Sequence, residues 1–122
     1  MVVAGPQRAE MAAKDIDDVL KGIKDAALKD TVSSFKDLLA GAKADSSVVA
    51  RETAKKIEQW LVMLRNGDLT RDEFEMLMYA RDRAVRQKLN TMRIATRARM
   101  EGLAIGMIDI VLNKLVEAIP SA

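Results

Sequence analysis

Cysteine and histidine are both absent from the 122-residue chain. Without them the protein cannot form disulfide bridges, and it has no thiolate or imidazole to ligate a metal ion or to activate a nucleophile. The dinuclear carboxylate bundles that use Glu-x-x-His pairs are excluded for the same reason. The composition therefore predicts a protein that is not an enzyme, and we expect neither a metal ion nor another cofactor.

Aromatic residues are also scarce, at 3% of the chain, and proline occurs only twice. A core must therefore be built from aliphatic residues and the eight methionines, a set that favours helices over strands. The sequence predicts an all-α protein of three long amphipathic helices, arranged as a helical bundle or as a coiled-coil-like oligomer. A flexible tail is expected at residues 1–7, followed by a single helical domain at residues 8–122.

Long apolar runs are missing as well. None reaches the roughly 18 residues that a membrane-spanning helix needs. Asp109 interrupts the most apolar stretch, so a membrane hairpin is not favoured. The first six residues lack the basic start and apolar centre of a secretion signal, and the expected compartment is the cytoplasm.

Apolar residues recur at intervals of three and four along most of the chain, which is typical of amphipathic helices. The first helix is predicted from about Arg8 to Gly41, with a looser stretch at residues 31–34. The second is predicted between N-cap candidates at residues 45–47 and a stop at residues 66–67, where glycine fits a left-handed conformation.

The third helix has the clearest start. Thr70 and Glu73 match a capping box, in which each side chain accepts a hydrogen bond from the other residue's backbone N–H. Residues 66–74 also resemble the second half of an EF-hand loop, but Val62 and Leu64 stand where calcium needs oxygen ligands. We therefore interpret the segment as a helix stop followed by a capped start, without calcium.

No proline interrupts the third helix before Ile119, and a continuous helix of that length would measure roughly 75 Å. A compact chain of this size has a radius of gyration of only about 14 Å. Either other subunits hold the helix straight, or it breaks near residues 90–91 or 102–106, where helix-weakening residues occur.

Basic residues are concentrated in one part of this helix. Residues 81–100 carry seven basic groups and one acidic group, whereas the whole chain has a formal net charge of +2. At about 100° per residue, several arginines fall opposite the apolar stripe of the helix. We call the following set the basic ridge: Tyr79, Arg83, Arg86, Asn90, Arg93 and Arg97.

The basic ridge has two interpretations. Guanidinium groups bind carboxylates and phosphates, so the ridge predicts a surface for an anion or a protein partner, and an acidic partner fits it best. Alternatively, the ridge is a solvated face that is neutralised by acids of the first helix, such as Asp17, Asp18 and Asp25, or by acids of a neighbouring subunit.

Residues 102–119 are apolar on nearly every side, which predicts a helix buried between subunits. Small residues on one side would admit a partner backbone, and Asp109 or Asn113 would set the register. The predicted association helix comprises Gly102, Leu103, Gly106, Ile108, Asp109, Ile110, Leu112, Asn113 and Leu115. The alternative is that the glycines mark the exposed side of an ordinary core helix.

Together these features predict a non-enzymatic helical assembly protein that forms homo-oligomers and docks a protein partner. The first alternative is binding of nucleic acid or another polyanion through the basic ridge, which is less favoured because stacking aromatics and a recognition motif are missing. The second alternative is an amphipathic lipid-surface protein.

Overall fold

The computed structural model describes residues 13–119, and every regular element within them is helical, which confirms the all-α prediction. The elements are α1 (Ile16–Lys21), a 3-10 helix (Ala26–Leu28), α2 (Lys29–Ala44), α3 (Val48–Arg65), α4 (Arg71–Leu89), α5 (Ile94–Met100) and α6 (Gly106–Ile110). Two π-helical segments, Glu101–Ile105 and Val111–Leu115, flank α6, and a 3-10 turn follows at Val116–Ala118. The predicted tail at residues 1–7 lies outside the described residues.

The first predicted helix is divided in two. The chain leaves α1 at Gly22 and becomes helical again at Ala26, where the Asp25 carboxylate accepts a hydrogen bond from the Ala27 N–H at 2.9 Å. The looser stretch expected at residues 31–34 is therefore misplaced, because these residues lie inside α2.

The stop expected at Gly41 is also wrong, since α2 continues to Ala44. A Cβ atom at Gly41 would lie only 3.2 Å from the Leu103 Cδ2 atom. The glycine therefore serves close packing between α2 and the C-terminal part of the chain, and it does not end the helix.

The junction between α3 and α4 is built as the sequence predicts. Asn66 caps α3, and Gly67 adopts a left-handed conformation with φ of 83°. Glu73 donates its backbone N–H to the Thr70 hydroxyl at 3.1 Å, and Thr70 donates its own to the Glu73 carboxylate at 2.8 Å. Accepting the bond from Thr70 lowers the pKa of Glu73 below its usual value. The segment is a helix stop followed by a capped start.

Replacing Thr70 with alanine removes the hydroxyl that accepts the Glu73 N–H, and we expect it to lower the free energy of unfolding by about 1 kcal/mol. Urea denaturation followed by circular dichroism measures the change. Thr70→Ser keeps the acceptor and should remain close to wild type. Added calcium should leave the melting temperature unchanged, and a rise of several degrees would show that this junction binds the ion.

The long third helix is broken near residues 90–91, one of the two places where a break was expected. α4 ends at Leu89, and the Thr91 hydroxyl donates to the Lys88 carbonyl at 2.9 Å. Arg93 is extended, and α5 begins at the next residue. At residues 102–106 the chain widens into π-helical geometry but remains helical.

The C-terminal segment, residues 94–118, is packed inside the bundle. It contacts α2, α3 and α4. These helices also contact one another, α2 with α3 and α3 with α4. Its completely buried side chains are Met100, Ala104, Met107, Ile108, Val111 and Leu115. None of the helices described between residues 13 and 119 combines the length and apolar character needed to cross a membrane.

Candidate interaction surface

The first part of the basic ridge lies on α4, on the side that faces away from the core. Phe74, Met78 and Val85 are spaced four and seven residues apart, so they share one face of the helix, and all three are completely buried. This packing turns the opposite face outward. The ridge residues exposed on that face are Tyr79, Arg83 and Arg86.

Met76 belongs to the same outward face, although it is not a member of the predicted basic ridge. Its side chain is 70% exposed, and that of Tyr79 one turn later is 54% exposed. Met76 precedes Arg83 by seven residues, or about two helical turns, so the helical winding that defined the ridge also places Met76 on it. Applying that winding to apolar as well as basic residues would have found it.

The second part of the basic ridge lies beyond the break and does not continue the same helix face. Asn90 is the C-cap of α4, and Arg93 is the residue before α5. Arg97 is half-buried, and its Nη2 donates to the Met92 carbonyl at 3.3 Å. The expectation of one continuous ridge is therefore corrected, because the turn at residues 90–93 separates the two parts.

Three of the seven basic residues within residues 81–100 form ion pairs inside the chain. Arg86 Nε donates to Asp82 Oδ2 at 2.9 Å, and Arg99 Nε donates to Asp45 Oδ1 at 3.0 Å. Arg81 lies near Glu52, with an Nη2–Oε2 distance of 3.9 Å. Among the described residues, the acids that pair with residues 81–100 thus come from α3, from α4 itself and from the α2–α3 turn. Asp17, Asp18 and Asp25 of the predicted first helix, which the solvated-face interpretation named, are not among them.

The surroundings of two of these arginines shift their pKa values in opposite directions. Burial lowers the pKa of the Arg81 guanidinium, and the attraction of Glu52 opposes this change. The hydrogen bond to Asp82 raises the pKa of Arg86, and Asp109 adds a smaller attraction. The Arg81 shift thus reflects burial and the Arg86 shift reflects pairing, and both guanidinium groups remain cationic.

Within residues 81–100, four basic residues form no ion pair with any residue in the described part of the chain: Arg83, Lys88, Arg93 and Arg97. Arg83, Lys88 and Arg93 are also exposed. Their charges are therefore available to a carboxylate or a phosphate from outside the chain.

The predicted association helix is largely covered by its own chain. Ile108 and Leu115 are completely buried, and Leu103, Ile110 and Leu112 are partly buried against the core. The side chains were expected to exceed what one neighbouring helix of the same chain can cover, and three helices, α2, α3 and α4, contact this segment. Association of subunits through it stays a prediction.

The row of small and polar residues in that segment has mixed surroundings. Gly102, Asp109 and Asn113 are exposed, and a Cβ atom at Gly102 would meet nothing within 4 Å. At Gly106 a Cβ atom would lie 3.5 Å from Leu38 Cδ1, so this glycine faces α2 of the same chain. The row is thus an outer edge of a core helix for most of its length.

Between residues 13 and 119, no three acidic side chains converge closely enough to hold a metal ion. Comparison of the chain with protein-family models, with curated proteins and with solved structures found no match. The outer face of α4 and the adjoining turn are therefore the strongest candidate for a functional surface.

Proposed function

We propose that the protein is a non-enzymatic helical assembly protein, which self-associates and docks an acidic protein partner in the cytoplasm. The observation that carries this proposal is the row of Met76, Tyr79 and Arg83 on the outer face of α4. Its first two members are 70% and 54% exposed, and Arg83 is exposed and has no ion pair among the described residues. Methionine, tyrosine and arginine are enriched in protein interfaces.

The row stands out because the rest of the bundle buries its large apolar side chains well. The other exposed large apolar residues among the described ones are Val48 and Ile94, which lie on other helices. Single exposed apolar residues are common on monomers, whereas an apolar pair beside a free cation provides both contact area and charge recognition. These properties fit a partner that presents apolar and acidic groups together.

We expect the molar mass of the wild type to rise above 13.5 kDa as concentration increases, because pairing would cover the exposed row. The double variant Met76→Glu/Tyr79→Glu should remain at the monomer mass while keeping its helicity and melting temperature, since neither side chain is buried. Ile94→Glu is the matched control, because Ile94 is 82% exposed on a different helix, and it should behave as the wild type. Sedimentation velocity at several concentrations measures all three, and a wild type that stays monomeric throughout would contradict self-association.

Polyanion binding is the second candidate, and the exposed, unpaired Arg83, Lys88 and Arg93 favour it. Fluorescence anisotropy with labelled polyglutamate and with duplex DNA separates the two functions. Binding of polyglutamate in preference to DNA supports the acidic protein partner. Tighter binding of DNA, with an affinity that falls steeply as salt rises, supports the nucleic-acid alternative.

A further inference from the structure

The outer face of α4 carries a second repeat, which the core does not use. Its members are spaced alternately by four and three residues, which is the a/d spacing of a coiled coil. We call this set the outer heptad: Asp72, Met76, Tyr79, Arg83, Arg86 and Asn90. All six are exposed, from the first turn of α4 to its C-cap.

We propose that two copies of this chain pair as an antiparallel coiled coil through four members of the outer heptad: Asp72, Met76, Tyr79 and Arg83. The two-fold axis passes between residues 77 and 78. This inference rests on the self-association proposed above and names its surface, register and direction. In this register Met76 lies opposite Tyr79 of the partner subunit. The two-fold axis creates a second, identical layer, in which Tyr79 lies opposite Met76 of the partner subunit. The most exposed apolar side chains of α4 thereby cover each other.

Charge fixes the direction of the pairing. In the antiparallel register, Asp72 lies opposite Arg83 of the partner subunit, so opposite charges flank the apolar centre on both sides. A parallel pairing would set Asp72 against Asp72 and Arg83 against Arg83. Like charges across an interface are repulsive, so the parallel arrangement is disfavoured.

Charge also fixes the register. Shifting the antiparallel pairing by one heptad towards the C-terminus of α4 would place Tyr79 against Arg83 of the partner subunit and Asp72 against Asn90 of the partner subunit. That arrangement loses both the apolar layers and the opposite-charge layers. The register centred between residues 77 and 78 matches apolar with apolar and acid with base, as a self-complementary two-fold interface requires.

The acids beside the outer heptad do not oppose this pairing. Arg71 Nε lies 3.6 Å from Glu75 Oε1, and Arg86 Nε lies 2.9 Å from Asp82 Oδ2. Glu75 and Asp82 therefore each have a counter-charge on the same helix, and the third acid beside the heptad, Glu73, accepts the Thr70 N–H in the capping box. In contrast, Asp72 and Arg83 form no ion pair with the described residues, so both charges are free to pair between subunits.

A charge exchange tests the proposal. Asp72→Arg and Arg83→Asp each place like charges in both flanking layers, and each should raise the dimer Kd by at least about tenfold. The double variant Asp72→Arg/Arg83→Asp restores opposite charges and should return the Kd to within about threefold of wild type. Lys88→Asp is the control, because it makes a similar charge change on α4 about 140° around the helix from Arg83, and it should leave the Kd unchanged.

Sedimentation equilibrium gives each Kd, and circular dichroism confirms that each variant is folded. If Asp72→Arg unfolds the chain, Arg83→Asp is compared with Arg83→Ala, and repulsion should make the aspartate variant dimerise more weakly. A double variant no tighter than the single variants overturns the antiparallel pairing. If the wild type and all variants dimerise with the same Kd, this interface is wrong but self-association still stands. If the wild type is monomeric at every concentration, both proposals are wrong.

Discussion

Replacing Ile108 with alanine is expected to lower the free energy of unfolding by about 2–5 kcal/mol, which is a large share of the stability of a small domain. Ile108 is completely buried in α6, and α6 packs against α2. Removing its side chain leaves a cavity that rigid neighbouring helices fill only in part. Urea denaturation at a fixed protein concentration measures the change.

Ile94→Ala is the control for this prediction, because its side chain is 82% exposed and its removal should alter stability by no more than about 0.5 kcal/mol. Comparing Ile108→Ala with Ile94→Ala also shows whether the C-terminal segment is buried within one chain or between subunits. A fall in molar mass without a fall in monomer stability for Ile108→Ala would mean that Ile108 lies between subunits, as the sequence alone suggested.

Replacing Thr53 with valine is expected to lower the free energy of unfolding by about 1–3 kcal/mol, although valine has nearly the same shape. Thr53 is the one polar residue that is fully buried among residues 13–119, and its hydroxyl accepts a hydrogen bond from Arg81 Nε at 3.0 Å. The Arg81 side chain is only 10% exposed, and its Nη2 has no hydrogen-bond partner in the described part of the chain. The variant therefore leaves a second buried donor of the guanidinium unsatisfied.

The double variant Thr53→Val/Arg81→Met separates the hydrogen bond from the packing. Methionine keeps an apolar stem but has no donor to leave unpaired, so the double variant should be more stable than Thr53→Val alone. If the two substitutions simply add, the Thr53–Arg81 bond contributes little and the polar contact is incidental.

The features that the sequence predicts correctly depend on residues close together in the chain. Thr70 and Glu73 satisfy each other's backbone across three residues, and Gly67 takes a conformation that other residues rarely adopt. The break near residues 90–91 is similarly local. Such signals are complete within a few residues, so no knowledge of the tertiary fold is needed to interpret them.

The features that the sequence misses depend on distant residues. Gly41 looks like a helix stop until Leu103 is placed against it, and Ile108 looks too apolar for a single chain until three other helices surround its segment. Pairings such as Arg99 with Asp45 join residues far apart in sequence. For the candidate surface, the exposed faces of Tyr79, Arg83 and Arg86 follow from helical winding alone, whereas the reorientation beyond residue 90 does not.

The turn at residues 90–93 also determines how a paired molecule would meet a larger target. It lies outside the paired layers of the outer heptad, so an antiparallel dimer displays Arg93 twice, once at each end of the helix pair. At about 1.5 Å per residue, the two copies of Asn90 would be roughly 38 Å apart along the helix axis. An elongated acidic target that reaches both ends would bind by avidity, because the first contact raises the effective concentration of the second.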